Sequence, residues 1–138
     1  MTTPIENFGR NVRFQPQAHY VPTSEDEVLD ILDQHRGTPI RVIGRMHSWS
    51  RILETPGVLI DLRKLDSVAV DESDNAVTAT VGAGCQVQHL LHTLRRFNAT
   101  LPSVGLIDEQ CVAGAISTGT HGSGKHKLHI VTTCNGGI

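Results

Sequence analysis

The sequence has no apolar run longer than a few residues, so it lacks the stretch of about 20 that a membrane-spanning helix requires. Net charge is nearly absent as well: 12 Lys and Arg against 14 Asp and Glu leave −2, which gives no basis for capture by nucleic acid or an anionic membrane. The N-terminal "MTTPIENFGRNVRF" lacks the apolar core of a secretory signal. A cytoplasmic or organelle-lumen location is the expectation, with mitochondrial association compatible. Cysteine is scarce. Cys85, Cys111 and Cys134 are odd in number and widely spaced, so they form neither a zinc pattern nor a disulfide framework. They read as buried or incidental thiols in a reducing compartment. No repeat or low-complexity tract is visible. What remains is a 138-residue chain, 38% hydrophobic and 19% charged, suited to a soluble globular fold that buries roughly two thirds of its unfolded surface.

The elements are legible from periodicity and punctuation. In "HYVPTSEDEVLDILDQHRG", Ser24 and Glu27 form a capping box and Glu25 and Asp26 favour the helix dipole. Val28, Ile31, Leu32 and His35 share a face, and Gly37 ends the helix. "PIRVIG" is a β-branched strand running into Gly44. With an extended "FQPQAHYVP" before the helix, the first 44 residues make a β-α-β unit with a parallel strand pair. "GVLIDL" (57–62) is a further strand. Val68 and Val70, a turn at Asp71 to Asn75, and Val77, Ala79 and Val81 form a hairpin. Val87, Leu90, Leu91 and Leu94 mark a second helix over roughly 86–97. The following "LPSVGLIDEQCVAGAISTGTHGSGKH" has little periodicity and is expected as a long, ordered, functional loop. A strand begins at "KLHIVTTC" and stops at "NGGI", as in a truncated domain.

Two glycine-rich loops carry the chemistry. "GRMHSWS" (44–50) leaves the end of an apolar strand, where glycine permits close approach of phosphate and Ser48, Ser50 and Arg45 supply donors and charge. The second combines Gly114, Gly119, Gly122 and Gly124 with Ser117, Thr118, Thr120 and Ser123. Two sets of small donors suit a long anionic ligand such as a dinucleotide. Gly119 to Lys125 also matches most of a triphosphate loop, but His126 stands where Ser or Thr should hold Mg²⁺, and no helix follows. "GAGCQV" (82–87) lacks the final glycine of the Rossmann fingerprint. His47 and His121 each sit inside a glycine-rich loop. His89 and His92, and His126 and His129, lack an acidic or Cys ligand to complete a zinc site, so no metal is expected.

The segments "PTSEDEVLDIL", "PIRVIGRMHSWS", "GVLIDLRKLDSV", "VTATVGAGC" and "LPSVGLIDEQCVAGAISTGTHGSG", in this order, resemble the N-terminal flavin-binding region of the vanillyl-alcohol oxidase flavoproteins. The nearest branch is the sugar-1,4-lactone oxidases (arabinono-, gulono- and galactonolactone) and the alditol oxidases. The resemblance covers about residues 8–130. It implies an α+β FAD-binding domain of the PCMH type: a small β-α-β subdomain over about 15–63, then the start of a second α+β subdomain over 64–138. It implies that Gly44, Arg45, Met46, His47, Ser48 and Trp49 wrap the FAD pyrophosphate, with His47 at the position that carries the flavin covalently in many relatives. Gly114, Ser117, Thr118, Gly119, Thr120, His121 and Gly122 would line the cofactor. Met46 stands where relatives usually have glycine, and its side chain is expected to crowd the pyrophosphate.

The implied chemistry is oxidation of a CH–OH group of a sugar lactone or polyol, hydride passing to the flavin and then to oxygen or a cytochrome. The substrate domain of that family is absent from this sequence, so no catalytic base can be named and the chain alone is expected to be inactive. Two other readings stay open: a triphosphate-binding module built on Gly119 to Lys125, and a folded, non-catalytic remnant.

Overall fold

The computed structural model describes residues 2–73 and 76–123. Gly124, Lys125, His126, His129, Cys134 and the strand expected from "KLHIVTTC" lie outside the described residues, as does the Asp74–Asn75 part of the hairpin turn. Among the described residues no helix is long and apolar enough to cross a membrane.

The chain is α+β. A short hairpin opens it, β1 (Ile5–Glu6) pairing antiparallel with β2 (Arg13–Phe14). Then come β3 (Ala18–Tyr20), α1 (Glu25–Gln34), β4 (Ile40–Ile43) and β5 (Val58–Asp61). The expected strand–helix–strand unit is present, with one correction. Strands β3 and β4 run parallel but do not touch as a pair: each bonds to β5, giving the order β3-β5-β4. The reason is burial. All four residues of β5 are buried, and a strand apolar on both faces belongs in the middle. His19 and the exposed Arg41 and Val42 place β3 and β4 at the edges.

Helix α1 begins as its residues require. Ser24 Oγ accepts from Glu27 N at 3.2 Å. The Glu27 carboxylate reaches back to Thr23 N (2.6 Å), one residue before the cap, rather than to Ser24. Ile31 packs on Val58 and Ile60, and His35 Nε2 meets the Tyr20 hydroxyl at 2.9 Å. Leu32, expected on that face, is exposed together with Leu29. Three strands of three or four residues cover only the stripe centred on Ile31. Gly37, at φ +81°, closes the helix in the left-handed conformation.

The second half is built on β6 (Val68–Ser73) and β7 (Ala76–Val81), antiparallel with Val68 opposite Val81. Strand β6 runs past the turn expected from Asp71, because Asp71 and Glu72 still pair with Thr78 and Val77 on the solvated part of the ribbon. Helix α2 (Val87–Arg95) lays Val87, Leu90 and Leu94 into a core with Cys85, Val112 and Ala115. Val68, Val70, Ala79 and Val81 pack against it. Part of the expected long loop is helical: α3 spans Val112–Ser117. Val112 and Ala115 lie three apart and both enter the core, so tertiary burial outweighs weak local periodicity.

Candidate functional site

Strand β4 ends in buried Ile43 and delivers the chain to Gly44. A Cβ at Gly44 would lie 2.7 Å from Cys111 Sγ and 2.8 Å from its Cβ. Only glycine allows this approach, and it brings the first glycine-rich loop against the residue that opens α3. Burial pushes the Cys111 thiol pKa up, opposed in part by Arg45 nearby. The two loops selected from the sequence are therefore joined at their roots.

Met46 has φ +56°, a left-handed conformation that a side chain adopts at a cost of about 1 kcal/mol or more. Its side chain does not stand in the loop mouth. It turns inward and packs with Ile43, Leu53 and Leu59. The crowding expected from the absent glycine becomes a backbone strain offset by burial.

His47 follows, half-buried, with its ring stacked on Phe8 at 4.6 Å between centroids. Its Nδ1 is buried without a hydrogen-bond partner, a state that costs about 1–3 kcal/mol and is rare in native folds. Ser48 Oγ shares a 3.0 Å contact with Ser50 Oγ and accepts from Ser50 N. Trp49 is exposed and stands edge-on to Phe8.

Along the second segment the hydroxyls expected to face a ligand are turned back on the helix. Ser117 Oγ donates to Ala113 O (2.7 Å) and Thr118 Oγ1 to Gly114 O (3.1 Å). Gly119 takes φ +63° to end α3, and Thr120 N bonds Ala115 O. The Gly122 N–H is engaged as well, donating to Ser103 Oγ at 2.7 Å. His121 Nδ1 is 2.9 Å from Gly122 O, on the surface. Gly114 is open: nothing lies within 4 Å of where its Cβ would be.

Two features escaped the sequence reading. The first is the N-terminal segment Asn7–Asn11, which bonds to the loop around His47. The second is Asp61, fully buried at the end of β5. Its carboxylate accepts from Arg63 N (3.0 Å) and Nε (2.7 Å), pairs with the second guanidinium nitrogen, and lies 3.8 Å from His19 Nε2. The hydrogen bond to Asp61 raises the Arg63 pKa. A sequence signal for the first existed in "NFGRN", where two asparagines flank a turn. For Asp61 the only signal was a charge terminating an apolar strand. Among the described residues no group of three or more His, Cys, Asp or Glu is placed to hold a metal ion; His89 and His92 line an open hollow on α2.

The family model for the FAD binding domain matches residues 16–136. The chain belongs to that family. Its cofactor is FAD, and its fold is the PCMH-type FAD-binding fold of flavin-dependent oxidoreductases. A long-chain alcohol oxidase from an uncultured marine euryarchaeote is 53% identical over 123 residues, covering 89% of this chain and 26% of that protein. A D-arabinono-1,4-lactone oxidase from Eremothecium gossypii is 37% identical over 127 residues, covering 88% and 24%. Among solved structures, a solvent-stable cholesterol oxidase superposes with a TM-score of 0.76 at 22% identity, covering 88% of this chain and 24% of that one. That last likeness is one of fold. The FAD binding domain described here spans about a quarter of the length of these relatives.

Proposed function

We propose that the loop Gly44 to Trp49 and the segment Gly114 to Gly122 hold FAD, with His47 as its covalent anchor, in an enzyme that oxidises a CH–OH group. The observation that carries this reading is the His47 ring. A buried Nδ1 without a partner fits a residue whose partner is the cofactor itself. The glycine-only contact between Gly44 and Cys111 brings the two segments together, and the open position at Gly114 leaves room for a ligand to approach the backbone there. Bound FAD supplies the two-electron acceptor for an alcohol carbon. The chain's own part is to bind and orient. Backbone N–H groups of 44–49 and the Arg45 charge would hold the anion, and Phe8 covers one face of the His47 ring.

The test of the anchor is direct. FAD is added during purification, the protein is precipitated with acid, and flavin retained in the pellet is measured. Parent protein should keep acid-stable flavin and His47→Ala should lose it. Acid-stable flavin persisting in His47→Ala would remove His47 from that role. ATP retained in a Lys125-dependent way would favour the triphosphate reading instead.

The substrate read from the sequence is a sugar-1,4-lactone or polyol, with oxygen or a cytochrome as acceptor. The 53% identity to a long-chain alcohol oxidase favours a second reading, an alkyl alcohol. Initial rates of the enzyme built on this domain, with a sugar lactone, an alditol and a long-chain primary alcohol, decide between them. Peroxide release against cytochrome reduction identifies the acceptor.

A further inference from the structure

The hairpin that opens the chain lies ahead of the family match, which begins at residue 16, yet its turn is bonded to the loop around His47. Asn7 is buried and all four hydrogen-bonding positions of its side chain are filled. Oδ1 accepts from Asn11 N (3.1 Å) and Val12 N (3.0 Å); Nδ2 donates to Asn11 Oδ1 (2.8 Å) and Ser48 O (2.9 Å). Asn11 Nδ2 donates to Trp49 O at 2.9 Å. Phe8 N donates to Met46 O at 3.0 Å. Three carbonyls flanking His47, those of Met46, Ser48 and Trp49, are thus held by one five-residue segment. Phe8 then stacks on the imidazole, and a Cβ at Gly9 would strike the Trp49 ring at 2.4 Å.

The saturation of Asn7 and the absence of any partner at His47 Nδ1 are the two halves of one arrangement. The segment satisfies the backbone on both sides of His47 and covers one ring face, but it offers the ring nitrogen nothing. We propose that Asn7–Asn11 is a positioning clamp that holds the His47 loop in its strained conformation and keeps the buried Nδ1 unpaired for the flavin. Asn7, Phe8 and Asn11 are positioning residues, and none is assigned contact with the cofactor. The proposal rests on the reading of His47 as the flavin-side residue, and its test has a readout independent of that reading.

The readout is the His47 imidazole itself, followed by NMR of the full chain without flavin and assigned by its disappearance in His47→Gln. Asn7→Ala risks the fold, because it empties a buried site. Asn11→Ala and Phe8→Ala alter exposed residues and are the working variants. Asn11 does not stack on His47, so a shift of the His47 ring resonances in Asn11→Ala reports transmission through the loop backbone. Phe8→Ala should remove the ring-current shift, and Phe8→Tyr should restore it. The FAD dissociation constant, from flavin fluorescence in a His47→Gln background where no covalent bond can form, should rise with either alanine substitution by about tenfold, as for a loop that holds its competent form about a tenth of the time. Urea midpoints near the parental value would show that the fold is intact. Parental His47 resonances and parental FAD affinity in Asn11→Ala would overturn the clamp. Loss of acid-stable flavin from the parent protein would sink the anchor reading alone, and the NMR outcome would still decide the clamp.

Discussion

Cys85 shows how burial can remove a residue from function. Its side chain is inaccessible, with Sγ 3.7 Å from His89 Nδ1, and desolvation pushes the thiol up to about 11. A thiol so protonated is a poor nucleophile. In the native chain, Cys85 and Cys111 should react with a thiol-specific reagent at neutral pH far more slowly than in urea; equal rates would contradict their burial. The same shift has a consequence for stability. A folded pKa above the unfolded one means that the native state keeps its proton longer, so stability is full below about pH 9 and falls as pH rises towards about 11. Urea midpoints measured across that window should decline, and the decline should be shallower in Cys85→Ala. Met46 tests the opposite balance. Met46→Gly releases a left-handed strain but deletes a side chain from the cluster with Leu53 and Leu59. Removing a partly buried Met costs more than the roughly 1 kcal/mol gained from the backbone, so the variant should be less stable than the parent by about 1–2 kcal/mol in denaturant titrations.

At the scale of elements, α1 is held at its start by local bonds and along its length by one buried stripe. Ser24→Ala removes the hydroxyl that accepts from Glu27 N and should lower stability by about 1 kcal/mol in urea unfolding, as other N-cap losses do. Glu27→Ala should act separately, because its carboxylate bonds Thr23 rather than the cap. An unchanged midpoint in both would mean that packing of Ile31 alone sets the helix. Elements of this kind were legible from residue patterns: the cap, the Val87–Leu94 stripe and the alternation through Val68 and Val81 each state their own structure. What was not legible depended on partners distant in sequence. The insertion of β5 between β3 and β4 is decided by which strand can be buried on both faces, a comparison among three segments. Helix α3 exists because Val112 and Ala115 find a core made by residues 68–94. The loop at 44–49 was proposed as a site from its glycine and histidine. Its clamp was not, since Asn7 and Asn11 lie about forty residues away in the chain and announce only a turn.

For the whole molecule, β5 is the member that couples scaffold to the proposed site. Its side chains alternate between two clusters: Val58 and Ile60 pack under α1, whereas Leu59 packs with Ile43, Leu53 and Met46 beneath the His47 loop, alongside Ile5 and Phe14 of the N-terminal hairpin. Both Leu59 and Ile60 are fully buried, so Leu59→Ala and Ile60→Ala should each cost about 2–5 kcal/mol of stability. Their effects on the cofactor should differ. Leu59→Ala loosens the layer that carries both the strained Met46 backbone and the hairpin clamping it, whereas Ile60→Ala loosens only the layer under α1. At temperatures where both variants remain folded, Leu59→Ala should weaken FAD binding several-fold more than Ile60→Ala, measured by fluorescence titration in a His47→Gln background where binding is reversible. Equal weakening would mean that stability alone governs affinity. Weakening confined to Ile60→Ala would place the flavin against α1, on the opposite face of the sheet from the loop assigned to it.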